Sequence, residues 1–350
     1  MGDKMKTINE NLFKIKIVFI SLLVVISFVI IGGSNYLRSK SNINKQEYQG
    51  LVLGESVVRE LNYKKETQLY NDWKIKSEQT LEIKPSVIEG TVDSIPVLTY
   101  HGITDEDDGE NITLEKFRQQ LYVLKREGYV TIGLHQLKDF LEKGKSLPNK
   151  SIMITFDDGR KDSFYNADPV LAAVNYNAVM FLIVSRMSDF ETFHLARAEI
   201  KFMLATGRWE IGSHSFDAHK EIVVNESGEK GFYFGNKQWL VSDQRLETDA
   251  EFKNRISSDM ARSISVLEDE FGMKVDTFAY PFGDFGQNSR NYENAENVIK
   301  ELSKKYFHLS FYQYWGSGNA KNYPVSDAFF VKRISVTPEV DSSMLLDLID

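Results

Sequence analysis

Ser151-Ile152-Met153-Ile154-Thr155-Phe156-Asp157-Asp158-Gly159 is the stretch that decides the fold expected of this 350-residue chain. Its apolar run has the length of one strand and lacks polar alternation, which is typical of a strand buried on both faces of a parallel sheet. Two adjacent carboxylates follow at the point where the strand ends. The sequence therefore predicts a buried parallel strand with acidic side chains at its carboxyl end.

Short apolar runs alternate with helical patterns on both sides of this stretch, which is the pattern of βα units. The predicted strands are Ile95–Tyr100, Ser151–Thr155, Val179–Val184, Trp209–Ser213, Thr277–Tyr280 and Phe329–Val336. About seven strands and as many helices in about 255 residues have the size of a (β/α) barrel. The expected fold class is therefore α/β with a barrel of this type, and a doubly wound open sheet is the alternative.

Cap residues and apolar periodicity predict the helices. Thr113 is suited to cap a helix that ends at Gly128. A second helix is predicted near Leu134–Lys143, and a long one covers about Asp249–Phe271. The range Lys220–Leu246 has no clear period and is predicted to be an irregular insertion.

Composition and charge exclude several classes of function. The net charge is −8 and the pI is about 5.5, so a nucleic-acid partner, which would need clustered Lys and Arg, is not expected. The chain has no cysteine, which excludes disulfides, a thiol nucleophile and Cys-ligated zinc. Any bound metal must be held by His, Asp and Glu.

An uncharged stretch near the N-terminus predicts a membrane anchor. Residues 17–37 carry no charge, and about 20 such residues suffice to cross a bilayer. Lysines at positions 4, 6, 14 and 16 favour a cytoplasmic N-terminus, and a cleaved signal peptide is the alternative. The expected organisation is a cytoplasmic tail (1–16), a single transmembrane anchor in the cell membrane (17–37), an extracytoplasmic stalk (38–90) and an extracytoplasmic domain (91–350).

Four predicted strands are followed by polar residues of the types that hydrolysis needs. These segments are Leu98-Thr99-Tyr100-His101, Thr155-Phe156-Asp157-Asp158-Gly159, Ser213-His214-Ser215-Phe216-Asp217-Ala218-His219 and Tyr280-Pro281-Phe282-Gly283-Asp284. In a (β/α) barrel, reacting groups gather at the carboxyl ends of the strands. One such end would be weak evidence, but four are hard to explain as packing.

The paired carboxylates and the paired histidines suggest a metal site. Asp157 and Asp158 leave the strand on different sides, so one can bind a metal while the other serves as a base. His214 and His219 are five residues apart, which is not the spacing of two ligands on one helical face. Two imidazoles and one carboxylate leave a coordination position open, as in catalytic metal sites. The alternatives are an acidic loop and ordinary surface or core histidines.

Three of these segments resemble motifs of the polysaccharide deacetylase family (NodB-homology domain, carbohydrate esterase family 4). Segments 155–159 and 214–219 resemble its first two motifs, and Tyr280-Pro281-Phe282-Gly283 resembles the third. The likeness covers about Ile95 to Val336. It implies a distorted (β/α)7-type barrel and a bound divalent ion, with Zn²⁺ expected first and Co²⁺ or Ni²⁺ as alternatives.

The resemblance also implies roles for individual residues. It makes Asp157 the general base, and Asp158, His214 and His219 the metal ligands. The segment Tyr280-Pro281-Phe282 would form one wall of the substrate groove and supply a backbone N–H to the oxyanion.

The chain departs from the family in two places. Many members have an arginine two residues before the proline of the third motif, where this chain has Ala279. Many also have a C-terminal Leu-x-His motif, which the last histidine here, His308, does not match. Leu98-Thr99-Tyr100-His101 instead resembles the N-terminal motif of the circularly permuted biofilm deacetylases, which act on poly-N-acetylglucosamine. This implies His101 as the general acid, and Arg333 is a candidate to replace the absent arginine.

The insertion Lys220–Leu246 is rich in aromatic residues. It contains Phe232, Tyr233, Phe234 and Trp239. Sugars present apolar C–H faces that pack on aromatic rings, so the insertion is a candidate glycan platform. The alternative is a hairpin whose rings cover the barrel.

The expected function is metal-dependent N-deacetylation of an extracellular amino-sugar polysaccharide of the poly-N-acetylglucosamine kind. One alternative is a peptidoglycan N-acetylglucosamine deacetylase, and another is an inactive glycan-binding module. A structural or adhesion protein would leave the polar strand ends unexplained. The expected partners are the polysaccharide, the membrane and the machinery of exopolysaccharide synthesis and export.

Overall fold

The computed structural model describes residues 45–80, 92–188, 192–316, 320–325 and 328–350. The chain divides into two compact units, Met1–Gln68 and Leu69–Asp350. The predicted cytoplasmic tail (1–16) and transmembrane anchor (17–37) lie outside the described residues. Within the ranges that are described, no helix combines the length and the apolar character needed to span a bilayer.

Helix α1 (Lys45–Thr80) lies within the range 38–90, for which the sequence predicts a stalk. Its last turns belong to the second unit. There the rings of Tyr70 and Trp73 pack on Tyr122, with centroid distances of 5.0 and 5.3 Å. These turns therefore contribute to the packing of the domain, while the stalk boundaries stay a prediction.

The second unit is built from βα units that close into a barrel. Its described strands are β1 (Val97–Tyr100), β2 (Ile103–Thr104), β3 (Ile112–Thr113), β4 (Val130–Thr131), β5 (Ser151–Phe156), β6 (Ala178–Leu182), β7 (Trp209–Ser213), β8 (Glu221–Val223), β9 (Lys230–Phe232), β10 (Trp239–Leu240), β11 (Arg245–Leu246), β12 (Thr277–Ala279), β13 (Leu309–Gln313) and β14 (Phe330–Ser335). Its helices after α1 are α2 (Leu114–Arg126), α3 (Leu134–Lys143), α4 (Lys161–Val174), α5 (Arg197–Ala205), α6 (Asp249–Phe271), α7 (Ala295–Tyr306) and α8 (Ser342–Ile349).

Seven parallel strands close the barrel in the order β1, β14, β13, β12, β7, β6, β5. Closure depends on β1, which pairs in parallel with β14 on one side and with β5 on the other. Strand β4 extends the sheet beyond β5. The predicted barrel is confirmed, and the open doubly wound sheet is wrong because its first and last strands would not meet.

The predicted helices α2, α3 and α6 are confirmed, including the cap of α2, where the Thr113 hydroxyl accepts a hydrogen bond from the Lys116 N–H. The insertion is more regular than expected, because it forms two antiparallel hairpins, β8–β9 and β10–β11. Strand β13 is an element that sequence patterns did not indicate. Its run, Leu309–Gln313, mixes apolar and polar residues and has no glycine or proline at its boundaries.

Alternation along β5 determines which side chains reach the inside of the barrel. Ile154 and Phe156 pack with the surrounding helices, whereas Met153 packs with barrel residues such as Phe181. Because strand side chains alternate, Asp157 follows Phe156 on the inner side. The fold thus places this carboxylate at the carboxyl end of the barrel interior.

Candidate active site

Asp157 and Asp158 follow β5 and diverge as the sequence predicts. Asp157 is almost wholly buried, and its N–H donates to the backbone oxygen of Tyr100. Asp158 is more accessible and has a φ of +71°, in the left-handed region that non-glycine residues rarely adopt. Backbone strain of this kind recurs at functional sites and needs support from the surrounding structure.

Arg333, on β14, forms a bidentate ion pair with the carboxylate of Asp157. The two terminal nitrogens lie 2.7 Å from the two carboxylate oxygens, and both side chains are buried. Burial alone would raise the pKa of Asp157, but the charge of Arg333, with His214 and His101 nearby, holds that pKa well below its usual range. Arg333 therefore contacts the carboxylate that the resemblance makes the general base, and its role in orienting that base stays a prediction.

His214 follows β7 and is buried with a fixed tautomer. Its Nδ1 lies 2.8 Å from the backbone oxygen of Ala279, and a carbonyl can only accept, so Nδ1 carries the proton. Burial lowers the pKa of His214 to about 4, although the nearby Asp157 charge opposes this. The ring is thus neutral at neutral pH, with the lone pair of Nε2 free to bind a metal.

Asp158, His214 and His219 form a compact ligand set. Their ligand atoms lie within 4.8 Å of one another, and Oδ1 of Asp158 is 3.5 Å from Nε2 of His214 and 3.3 Å from Nε2 of His219. That oxygen is buried and has no hydrogen-bond partner among the described residues. A bound cation would stabilise an imidazole lone pair and a carboxylate oxygen that face each other at this distance. The residues therefore fit a divalent ion with the composition of catalytic zinc sites.

The loop between the two imidazoles is supported from α6. The carboxylate of Asp259 accepts hydrogen bonds from the N–H groups of Phe216 and Asp217, each at 2.9 Å. Burial raises the pKa of Asp259. Ser215, within the loop, has a φ of +75°, so a left-handed residue directly follows His214. Sequence patterns could not identify Asp259, because it lies about 40 residues away on a helix.

His101 lies across the groove from the ligand set, at the end of β1. Its Nε2 is 3.9 Å from Oδ2 of Asp157, and its side chain is 40% exposed. Its backbone oxygen accepts a hydrogen bond from the Ser163 hydroxyl. The ring is held by Gln313, whose amide nitrogen lies 3.3 Å from Nε2 of His101. The sequence did not indicate Gln313, because it did not indicate the strand β13 on which this residue lies.

The third motif contributes less to the groove than the resemblance implied. The side chain of Tyr280 is buried in the core and its hydroxyl donates to Ser303, while its N–H donates to Phe311 across β12 and β13. Pro281 is buried and has no N–H. Phe282 does line the groove. Within this segment, its N–H is therefore the remaining candidate donor to an oxyanion.

The groove itself has a volume of about 320 Å³. His101, Asp157, Asp158, His214, His219 and Phe282 all line it. Trp315, which is 71% exposed, lies at its rim and was not expected from the sequence. In the insertion, Phe234 is buried against Phe278, which fits the covering role, whereas the ring of Phe232 stacks on Phe282.

Comparison with known proteins identifies the class. Residues 144–298 match the family model described as polysaccharide deacetylase. With the closed barrel and the Asp158–His214–His219 cluster, this match shows that the chain carries a polysaccharide deacetylase domain. The matched range contains neither His101 nor Arg333.

The individual relatives are more specific. The chain is similar to poly-beta-1,6-N-acetyl-D-glucosamine N-deacetylases of Escherichia coli K12 (24% identical over 244 residues, 64% of this chain and 34% of that protein) and of Staphylococcus epidermidis (24% over 272 residues, 77% and 78%). The chain thus spans about a third of the length of the E. coli relative.

Solved structures show the same fold. The de-N-acetylase from Aggregatibacter actinomycetemcomitans aligns with a TM-score of 0.62 at 21% identity, over 73% of this chain and all of that one. IcaB from Ammonifex degensii aligns with a TM-score of 0.55 at 25% identity, over 74% and 97%.

Proposed function

We propose that this chain is a membrane-anchored, metal-dependent enzyme that removes N-acetyl groups from an extracellular poly-N-acetylglucosamine-type polysaccharide and releases acetate. The observation that carries the proposal is the carboxylate of Asp157, which is held by Arg333 next to the Asp158–His214–His219 cluster and faces His101. The names of the similar proteins support the choice of polymer. The uncharged range 17–37 supports a position outside the cytoplasm.

The residues divide the hydrolysis of an acetamide among them. Asp158, His214 and His219 would hold the divalent ion, which when bound supplies a Lewis acid that polarises a carbonyl and acidifies water. Asp157, ionised at neutral pH, accepts the proton of the attacking water. The N–H of Phe282 donates to the developing oxyanion. His101 protonates the departing sugar nitrogen, and acetate and a free amine result.

The experiment is acetate release by the purified full-length chain with Zn²⁺, Co²⁺ or Ni²⁺. The substrates are β-1,6-linked N-acetylglucosamine oligomers and peptidoglycan fragments. Release from the oligomers is expected, with loss of turnover in Asp157→Asn. Asp243→Asn, on the exposed loop between β10 and β11, is a matched control that should keep full activity.

Other outcomes of this experiment would favour an alternative function or contradict the assignment of the base. Release from peptidoglycan fragments alone would support the peptidoglycan deacetylase. Absence of both bound metal and turnover would support the inactive glycan-binding module. Full activity of Asp157→Asn would contradict the assignment of the base.

A further inference from the structure

The two imidazoles of the ligand set are oriented by different means. The ring of His214 is fixed by the hydrogen bond from Nδ1 to the backbone oxygen of Ala279. Among the described residues, Nδ1 of His219 has no such partner, and this side chain is 25% exposed. Metal-binding histidines are usually oriented by a hydrogen bond at the second ring nitrogen. Among the described residues, the packing of its ring is therefore what can orient His219.

Two phenylalanine rings lie against His219 in series. The ring of Phe282 packs on the imidazole at a centroid distance of 4.1 Å, tilted by 42°. Phe232, from strand β9 of the insertion, stacks on Phe282 at 4.4 Å and is nearly parallel to it, at 11°. The insertion hairpin thus reaches a ligand of the cluster through a single intervening ring.

Phe282 needs support in this place. Its φ of +58° and ψ of 12° are in the left-handed region, which is unfavourable for a bulky residue. About a third of its side chain is exposed, so the groove side gives little packing. The stack with Phe232 offsets part of the backbone cost, because aromatic pairs gain free energy beyond the area they bury.

We propose that Phe232 is a positioning residue for the metal site: through Phe282, it holds the His219 imidazole in the orientation that presents Nε2 to the cation. This inference rests on the proposed metal site and adds a role to the insertion that neither covering the barrel nor binding glycan describes. A ring held in place before the cation arrives loses less rotational freedom on binding, so the stack raises the affinity for the ion.

The experiment measures the Kd of the full-length chain for Zn²⁺ by competition with a chelating dye, without any substrate. Phe232→Ala is expected to raise Kd about three- to tenfold, the range that corresponds to one aromatic pair. Phe232→Leu keeps apolar volume without a ring and should also raise Kd, whereas Phe232→Tyr should restore it. Glu221→Ala is the matched control, because Glu221 is exposed and pairs directly with Phe232 across the hairpin.

The outcomes are separable. A wild-type Kd in Phe232→Ala, or an equal rise in Glu221→Ala, would overturn the inference. Urea unfolding of each variant shows whether the chain is folded, and Phe232→Leu serves if Phe232→Ala is not. If Kd responds as expected but no glycan releases acetate, the proposed function fails while the positioning role stands.

Discussion

Gln313 and Arg333 are register partners on the adjacent parallel strands β13 and β14. Their side chains serve opposite halves of the proposed reaction. Arg333 binds the carboxylate of Asp157, and Gln313 contacts the imidazole of His101. One pair of neighbouring positions therefore contacts both the proposed base and the proposed acid.

The buried Arg333–Asp157 pair predicts strong coupling in stability. Arg333→Met and Asp157→Asn each leave one buried charge without its partner, and each should lower the free energy of unfolding by about 3 kcal/mol. The double variant removes both charges, so it should be closer to wild type than either single variant. Urea denaturation of all four proteins measures this. Additive losses in the double variant would contradict the coupling.

The same pair predicts a pH dependence of stability. In the wild type the pKa of Asp157 is depressed in the folded state, so its stabilisation is present at neutral pH and is lost as pH falls through that depressed pKa. In Arg333→Met the guanidinium no longer offsets the effect of burial, so the pKa of Asp157 should rise. Stability of this variant is then lost as pH rises through the raised pKa. The deficit of Arg333→Met, measured by unfolding at several pH values, should therefore shrink as pH falls.

Metal content should distinguish ligands from the base. His214→Ala removes a ligand and should lose bound Zn²⁺, whereas the Asp157→Asn/Arg333→Met double variant should retain it and lose turnover. Elemental analysis after dialysis, together with acetate release, provides the measurement. Retention of wild-type zinc affinity by His214→Ala would contradict the assignment of the site.

The contact between Gln313 and His101 predicts a non-additive effect on rate. Gln313→Met keeps the side-chain length but removes the amide, and should lower kcat about three- to tenfold, the range for one hydrogen bond. His101→Ala should lower it by about 10² to 10⁴. In the His101→Ala background the Gln313 substitution should have no further effect. Gln119→Met, on the exposed face of α2, controls for the chemical change.

Asp259 should determine how well the loop between the imidazoles is held. Asp259→Leu leaves the N–H groups of Phe216 and Asp217 without acceptors, at a cost of about 1–3 kcal/mol for each. Asp259→Asn retains one acceptor oxygen and should lose less. Urea unfolding ranks the variants, and zinc affinity should fall in the same order. Wild-type stability in Asp259→Leu would show that the loop holds its shape without this carboxylate.

Local patterns predicted the parts of the site that follow strands. Asp157, Asp158, His214 and His219 were found because polar residues directly after buried runs are visible in sequence and meet at one end of a barrel. The partners of these residues were harder to find. Asp259, on α6, is about 40 residues away in sequence from the loop that it contacts, so no local pattern indicates the contact.

The contacts of Gln313 and Phe232 could not be predicted from the sequence, for two different reasons. Gln313 lies on a strand without clear apolar alternation or bounding turn residues, so neither the strand nor its side chain was indicated. The sequence singled out Phe232 as part of an aromatic insertion. The two roles predicted for that insertion, covering the barrel or binding glycan, did not include packing on Phe282. That arrangement depends on the left-handed backbone of Phe282, which sequence propensities do not predict.

The double pairing of β1 has a practical consequence for anyone who dissects this chain. The range that matches the family model, 144–298, omits β1, β13 and β14. A fragment cut to that range would keep Asp158, His214 and His219, yet it would lack His101, Arg333 and three of the seven barrel strands. The smallest piece worth expressing therefore begins before Val97 and extends beyond Ser335, because the two ends of the domain are adjacent in space.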